Sequence, residues 1–95
     1  MRREKLDSNE LSAELEKIDG WEVRDETIFR RYEFDDFAAS LAFVNIVGEI
    51  AEDADHHPDI TFGWGYAEIA LTTHDRGGVT DFDLALARSI NEIES

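Results

Sequence analysis

The stretch "EDADHHPDITFGWGYAEIALTTHDRGGVTDFD", residues 52–83, decides how the chain folds. It opens on the end of an apolar helix and runs into Pro58. A proline has no N–H and a fixed φ, so it forbids a further helical turn and pushes His57 toward an extended conformation. "DITF" and "AEIALTT" follow, joined through "GWGY". Ile60 and Phe62 alternate, as do Ile69 and Leu71, which predicts a hairpin with one apolar face. "DRGG" reads as a turn after a fourth strand that ends in His74. Thr80 to Asp83 matches a capping box, with Asp in place of the usual Glu, and so starts a last helix.

Working outward, Ser8 is positioned to cap a first helix whose Leu11, Leu15 and Ile18 share one face, and Gly20 ends it. "WEV" and "TIFRRYEF", separated by Arg24, Asp25 and Glu26, read as an antiparallel hairpin whose alternation is interrupted by Phe29 and Arg30. Asp35 or Asp36 caps a second helix running toward Asp55. Asn45, Glu49, Glu52 and Asp53 fill one sector of it, while Phe37, Leu41, Phe43, Val44, Ile46, Val47 and Ile50 cover the rest. That apolar arc is wider than one face of a small domain needs. The helix is therefore expected to pack on the sheet and on a second subunit. Phe82, Leu86, Ile90 and Ile93 stripe the last helix. The order is α-β-β-α-β-β-α: one α+β domain over residues 1–95, most simply a four-stranded antiparallel sheet with helices packed on one face.

The chain has only three histidines, and two stand side by side. His56 and His57 fall where the second helix ends, and the negative end of a helix dipole favours protonated imidazole. Asp53, Asp55 and Asp59 push the same way. The expectation is a raised pKa, in the range where imidazole donates a proton near neutral pH. Neighbouring residues of a regular helix or strand diverge. At an irregular helix end before a proline, both rings can line one pocket. Antiparallel pairing of the third and fourth strands returns His74 to the same place. Plainer readings stand beside this one: an exposed surface histidine, a helix C-cap, or an Asp83 that does nothing beyond the capping box. A three-histidine zinc site is a further alternative, but adjacent ligands are awkward and no familiar metal-site spacing fits.

The same stretch resembles the pterin-4a-carbinolamine dehydratase family. That family's pattern is an acidic residue, three residues, His-His-Pro, then an aromatic, a His and an Asp at set gaps. Here these positions hold Glu52, His56, His57, Pro58, Trp64, His74 and Asp83. "GWEV", "YEFDDFAASLAFVNIV" and "LALARSINEIE" extend the likeness over nearly the whole chain. The resemblance implies the fold read above, dimers or tetramers, and no metal or organic cofactor. It implies a hydro-lyase that converts a 4a-hydroxytetrahydropterin to the quinonoid dihydropterin and water, regenerating the pterin after an aromatic amino acid hydroxylase has used it. It makes His56 and His74 an acid/base pair and gives His57 the task of holding the pterin, with a secondary catalytic part. Asp83 would orient a histidine or remain a helix cap. Asp55 and Asp59 would tune the imidazoles beside Pro58, and Trp64 would pack near the site or at a subunit contact. One departure is Ile60, where relatives often carry an aromatic, which bears on a wall of the pterin pocket. Competing implications are a non-catalytic pterin-binding or protein-interaction module, and a related pterin activity in molybdenum-cofactor metabolism.

Composition bounds these readings. Ninety-five residues with 42% hydrophobic content support one small core, so an extensive pocket needs help from another subunit. There are no cysteines, which excludes disulfides and thiolate metal sites and suits a reducing cytoplasm. No apolar run approaches a membrane span, and "MRREKLDSNE" is not followed by the apolar core of a signal peptide. The expectation is a soluble cytoplasmic protein. The net charge of −14 argues against nucleic acid and against anionic membranes as partners. Lys5 and Lys17 are the only lysines, against seven arginines. An acid-rich, lysine-poor surface suits solubility in concentrated salt, where screening removes self-repulsion. On that reading the melting temperature rises between low and molar KCl; a thermal denaturation series that shows no upward shift excludes it.

Overall fold

The structure is a computed structural model and describes residues 1–94. The first helix, α1 (Ser8–Leu15), is capped by Asp7 and not by Ser8. With Asp7 at the cap, Glu10 falls at the third position and reciprocates: the Glu10 N–H donates to Asp7 Oδ1 and the Asp7 N–H to Glu10 Oε1. A cap at Ser8 would put Leu11 there, which has no acceptor. The helix also stops before Gly20. Bonds from the Lys17 N–H to Glu14 O and from the Ile18 N–H to Leu15 O tighten the chain into a turn that still buries Ile18. Gly20 then serves at φ +88°, where it lets the chain enter β1 (Glu22–Arg24).

β1 pairs antiparallel with β2 (Thr27–Glu33) across a tight turn, Asp25 taking φ 54°. β3 (Asp59–Gly63) and β4 (Tyr66–Leu71) form the second hairpin around Trp64 and Gly65. β4 inserts beside β2, giving a four-stranded antiparallel sheet of order β1-β2-β4-β3. Register sorts the side chains. Ile28, Tyr32, Ile69, Leu71 and Ala67 share the inner face and are buried with Leu11, Ile18, Trp21 and residues of the later helices. The outer face carries Arg31, Glu33 and Glu68 as an exposed ion-pair ladder.

The two residues that interrupt the alternation of β2 have separate reasons. Phe29 lies on the outer face with the Arg24 guanidinium 3.6 Å from its ring centroid. Arg30 points inward but keeps its charge satisfied at the core's rim, donating to Asn91 Oδ1 at 2.7 Å and Asp19 O at 3.1 Å.

α2 (Phe37–Ala54) starts at Asp36, whose side chain accepts from the Ala39 N–H. Ser40, Phe43, Val47 and Ala51, at helical spacing, form its buried stripe against the sheet. The remainder of the wide apolar arc stays open, with Phe37 45%, Leu41 39% and Ile46 41% exposed. α3 (Asp81–Asn91) packs on α2 and buries Leu84, Leu86, Ala87 and Ile90. Short 3₁₀ turns occupy His74–Arg76 and Glu92–Glu94. The three helices and the sheet make the single α+β domain that the element order implied.

Candidate active site

The site begins with a backbone event at the end of α2. Asp55 adopts the left-handed conformation, φ 51° and ψ 42°. Its N–H donates to Glu52 O, and the His56 N–H reaches back to Ala51 O. This paired closure satisfies two of the helix's last carbonyls and reverses the chain in one residue. Glycine is the usual occupant of such a position, and aspartate is among the few others that tolerate it. The reversal throws His56 back across the start of α3 before Pro58 commits the chain to β3.

Asp83 waits there. It is fully buried, in the first turn of α3, and its carboxylate serves three groups at once. Its Oδ2 accepts from the Thr80 N–H at 2.8 Å, which completes the capping box, and from Thr73 Oγ1 at 2.8 Å. Thr73 Oγ1 also lies 2.9 Å from Thr80 Oγ1, and that hydroxyl in turn accepts from the Phe82 N–H. The other carboxylate oxygen, Oδ1, is 2.5 Å from His56 Nε2. A carboxylate only accepts, so Nε2 carries the hydrogen. This leaves Nδ1 of His56 as the atom that can take up or release a proton. The Phe82 ring stands 6.3 Å from the imidazole, centroid to centroid, and closes one side.

His57 and His74 are more exposed. His57 Nε2 lies 2.5 Å from Glu52 Oε2, one turn back on α2. Strand β4 ends at Leu71, three residues earlier than the sequence suggested. Thr73 then bridges to Gly78, and His74 opens the 3₁₀ turn that follows. The bridge ties Thr73 below Asp83 and lifts His74 to the rim. All three histidines border one cleft of about 330 Å³, with Asp55, Thr73 and Asp75. A second cleft of about 340 Å³ shares Asp55, His56, Thr73 and Asp75 and adds Arg3, Arg76 and Phe82. A larger hollow of about 630 Å³ adjoins His56 and Phe82 between the ends of α2 and α3, whereas one of about 520 Å³ by Lys5 and the β1–β2 turn gathers no histidine. Among the described residues, no three His, Asp or Glu side chains are arranged to hold a metal ion.

The N-terminal segment forms the far wall. The Arg2 guanidinium grips Asp81, at 2.9 and 3.0 Å, and the Arg2 N–H adds a third bond at 2.7 Å. The Leu6 N–H bonds to Val79 O and buries Leu6. Arg3 is thereby held with its guanidinium 5.6 Å from the Phe82 ring centroid. Hydrogen bonding by Arg2 holds the Asp81 carboxyl below its ordinary value of 3.8, and the same pairing raises Arg2. A lowered carboxylate contributes its hold fully above that ordinary value and loses it as pH falls through the lowered one. The strap over the site is therefore intact across the neutral range.

Of the residues singled out in the sequence, the structure gathers His56, His57, His74, Asp55 and Asp83. Pro58 supports them from the connecting segment, and Asp59 follows as the exposed first residue of β3. Of the two places expected for Trp64, the structure excludes the cleft within this chain. Trp64 sits in the β3–β4 turn, 70% exposed, at the opposite end of the hairpin from the histidines. An antiparallel hairpin necessarily separates its turn from its open end, so within this chain Trp64 cannot wall the cleft. Thr73, Arg3 and Phe82 were not picked out as site residues. Thr73 carried no signal beyond its place next to His74, and Arg3 reaches the site only through tertiary packing.

A small α+β domain with an imidazole-lined cleft beside a buried carboxylate is the class these observations define. The model for the family described as Pterin 4 alpha carbinolamine dehydratase matches residues 4–93, and the chain belongs to that family. A Thermomicrobium roseum protein, provisionally named a pterin-4-alpha-carbinolamine dehydratase, is 44% identical over 96% of this chain and 98% of its own. A similarly named protein from Rubrobacter xylanophilus is 45% identical over 93% of this chain and 83% of its own. Among solved structures, the transcriptional coactivator/pterin dehydratase from Brucella melitensis superimposes with a TM-score of 0.90 at 33% identity, covering 96% of this chain and 99% of that one. A pterin dehydratase-like protein described as a RuBisCO assembly factor in the alpha-carboxysome shares the fold, with a TM-score of 0.64 at 23% identity over 77% of this chain and 84% of that one.

Asp83→Ala removes the cap acceptor and leaves the Thr80 N–H and the Thr73 hydroxyl without their buried partner. The expected loss of stability is about 1–3 kcal/mol, read as a lowered urea midpoint with unchanged slope. Asp83→Asn keeps one acceptor oxygen and is expected to lose less.

Proposed function

We propose that the protein dehydrates a 4a-hydroxytetrahydropterin to the quinonoid dihydropterin. The observation that carries this reading is the convergence of three histidines on one cleft, one of them held by a buried carboxylate. Loss of water from a carbinolamine breaks the C4a–O bond and forms a C4a=N5 double bond. The leaving hydroxyl takes a proton from an acid and departs as water, while a base removes the proton on N5. Two imidazoles in opposite protonation states supply both transfers without a metal or an organic cofactor.

His56 and His74 take these roles. Asp83 fixes the tautomer and orientation of His56 and supports its positive charge when it is protonated. His74 borders the same cleft and so brings a second imidazole to a bound ring system. His57, tethered to Glu52, holds the pterin and takes a secondary part. Asp55 and Asp75 bring acceptor oxygens to the cleft, which suits the N–H donors on a pterin's amide edge. Asp59 and Pro58 set the entry to β3, and Ile60, where relatives often carry an aromatic, packs against the core. Regeneration of a hydroxylase's pterin is the pathway this reaction fits. A complete histidine set favours catalysis over pterin binding alone.

The exposed apolar arc of α2 supports assembly with further copies of the chain, because Phe37, Leu41 and Ile46 together leave an apolar surface that a small monomer rarely shows to water. Light scattering is expected to give a dimer or tetramer, with Leu41→Glu shifting it toward the monomer; a wild-type monomer at micromolar concentration counts against this.

For the chemistry, His56→Ala and His74→Ala are each expected to lower kcat for a freshly generated 4a-hydroxytetrahydropterin by about 10²–10⁴-fold, with the fold preserved by circular dichroism. His57→Ala is expected to act more on KM. Near wild-type turnover in both His56→Ala and His74→Ala would refute the acid/base assignment.

A further inference from the structure

Most of the chain's cations are neutralised locally. Arg2, Lys5, Arg24, Arg31 and Arg88 all engage carboxylates. Among the described residues, Arg3, Arg76 and Lys17 make no ion pair, although the sequence carries 23 acidic side chains. Lys17 lies just past α1. Arg3 and Arg76 line the same cleft, the one of about 340 Å³ that runs on from the histidines through Asp55, His56, Thr73 and Asp75. Asp55 and Asp75 border that cleft as well, yet neither forms an ion pair with either guanidinium.

The two arginines come from distant parts of the chain. Arg76 is placed by the 3₁₀ turn that opens with His74 and closes on Gly77 at φ 75°. Arg3 is placed by the Arg2–Asp81 tie and lies over the Phe82 ring. Neither guanidinium is held by a carboxylate of the cleft, so the donors of both are available to an anionic ligand. Guanidinium is also the side chain whose planar fork of donors matches phosphate oxygens.

Resting on the dehydratase reading, we propose that Arg3 and Arg76 form an anion-recognition subsite for the substrate's side chain. The ring system occupies the histidine cleft, the side chain runs past Phe82, and a terminal phosphate ester is held between the two guanidiniums. The preferred substrate class is thus a pterin with a phosphorylated side chain. The overall charge of −14 does not defeat this. At physiological ionic strength, charges farther than about 8 Å are largely screened, whereas the two arginines act in contact.

The test compares a hydroxylated dihydropterin with its phosphate monoester, as unreactive ligands in calorimetry and, in the 4a-hydroxytetrahydro form, as substrates. Wild type is expected to bind the phosphate ester about tenfold more tightly and to show the same preference in kcat/KM, mainly through KM. The preference is expected to fall several-fold in Arg3→Gln and in Arg76→Gln, to near unity in the double variant, and to shrink in molar KCl. Equal handling of the two pterins by wild type, with both bound and dehydrated, overturns the subsite and leaves the dehydratase reading intact. So does a preference that survives in the double variant. Failure to bind either pterin overturns the dehydratase reading and the subsite with it.

Discussion

The carboxylate of Asp83 is the constraint on which the rest of the site depends. A fully buried carboxylate is costly unless its oxygens are occupied by donors. Here the donors are the Thr80 N–H, the Thr73 hydroxyl and the His56 imidazole, drawn from the helix N-terminus, the loop after β4 and the end of α2. One side chain therefore fixes the relative positions of three segments far apart in sequence. It also couples the folding of α3 to the placement of an imidazole. The bonds that start α3 leave the second oxygen of the carboxylate pointed at an imidazole. A Glu at the same capping position would be longer by one methylene and would bring that oxygen elsewhere, so the unusual Asp in the capping box has a geometric reason.

Much of this was legible in the sequence because it rested on local rules. Pro58 barred any continuation of α2, which closes three residues earlier at Asp55, the alternation of Ile60 with Phe62 and Ile69 with Leu71 fixed the second hairpin, and the return of that hairpin brought His74 to the cleft that His56 lines. The T-x-x-D pattern placed Asp83 at a helix start, and a capping bond and a bond to the His56 imidazole occur together there. One local rule misleads: Ser8 reads as the cap of α1, but Asp7 holds that place because Asp7, unlike Ser8, has a reciprocating Glu10 three residues on.

The remaining departures come from tertiary packing. Gly20 looked like a helix terminator, but the helix had already tightened into a turn that buries Ile18. Arg30 looked like a break in the strand, but its inward position is compensated by Asn91, 61 residues away. Arg3 belongs to the site only because Arg2 is clamped to Asp81, 79 residues away. The sequence leaves Trp64 between the site and a subunit contact for a different reason: a spacing pattern shared with a family shows that a residue recurs at that position and is silent on which end of the hairpin the residue occupies.

That separation has a consequence for assembly. α2 is 18 residues long, about 27 Å at an α-helical rise. Its C-terminal end delivers Asp55 and His56 to the cleft. Its N-terminal end packs Phe37 on Phe62, near the turn that carries Trp64. The open apolar residues Phe37, Leu41 and Ile46 and the exposed Trp64 thus lie toward the end of the molecule away from the histidines. A further copy of the chain docked on that end would cover apolar surface without obstructing the cleft. The histidines could then remain open to a small ligand while the middle of α2 is buried.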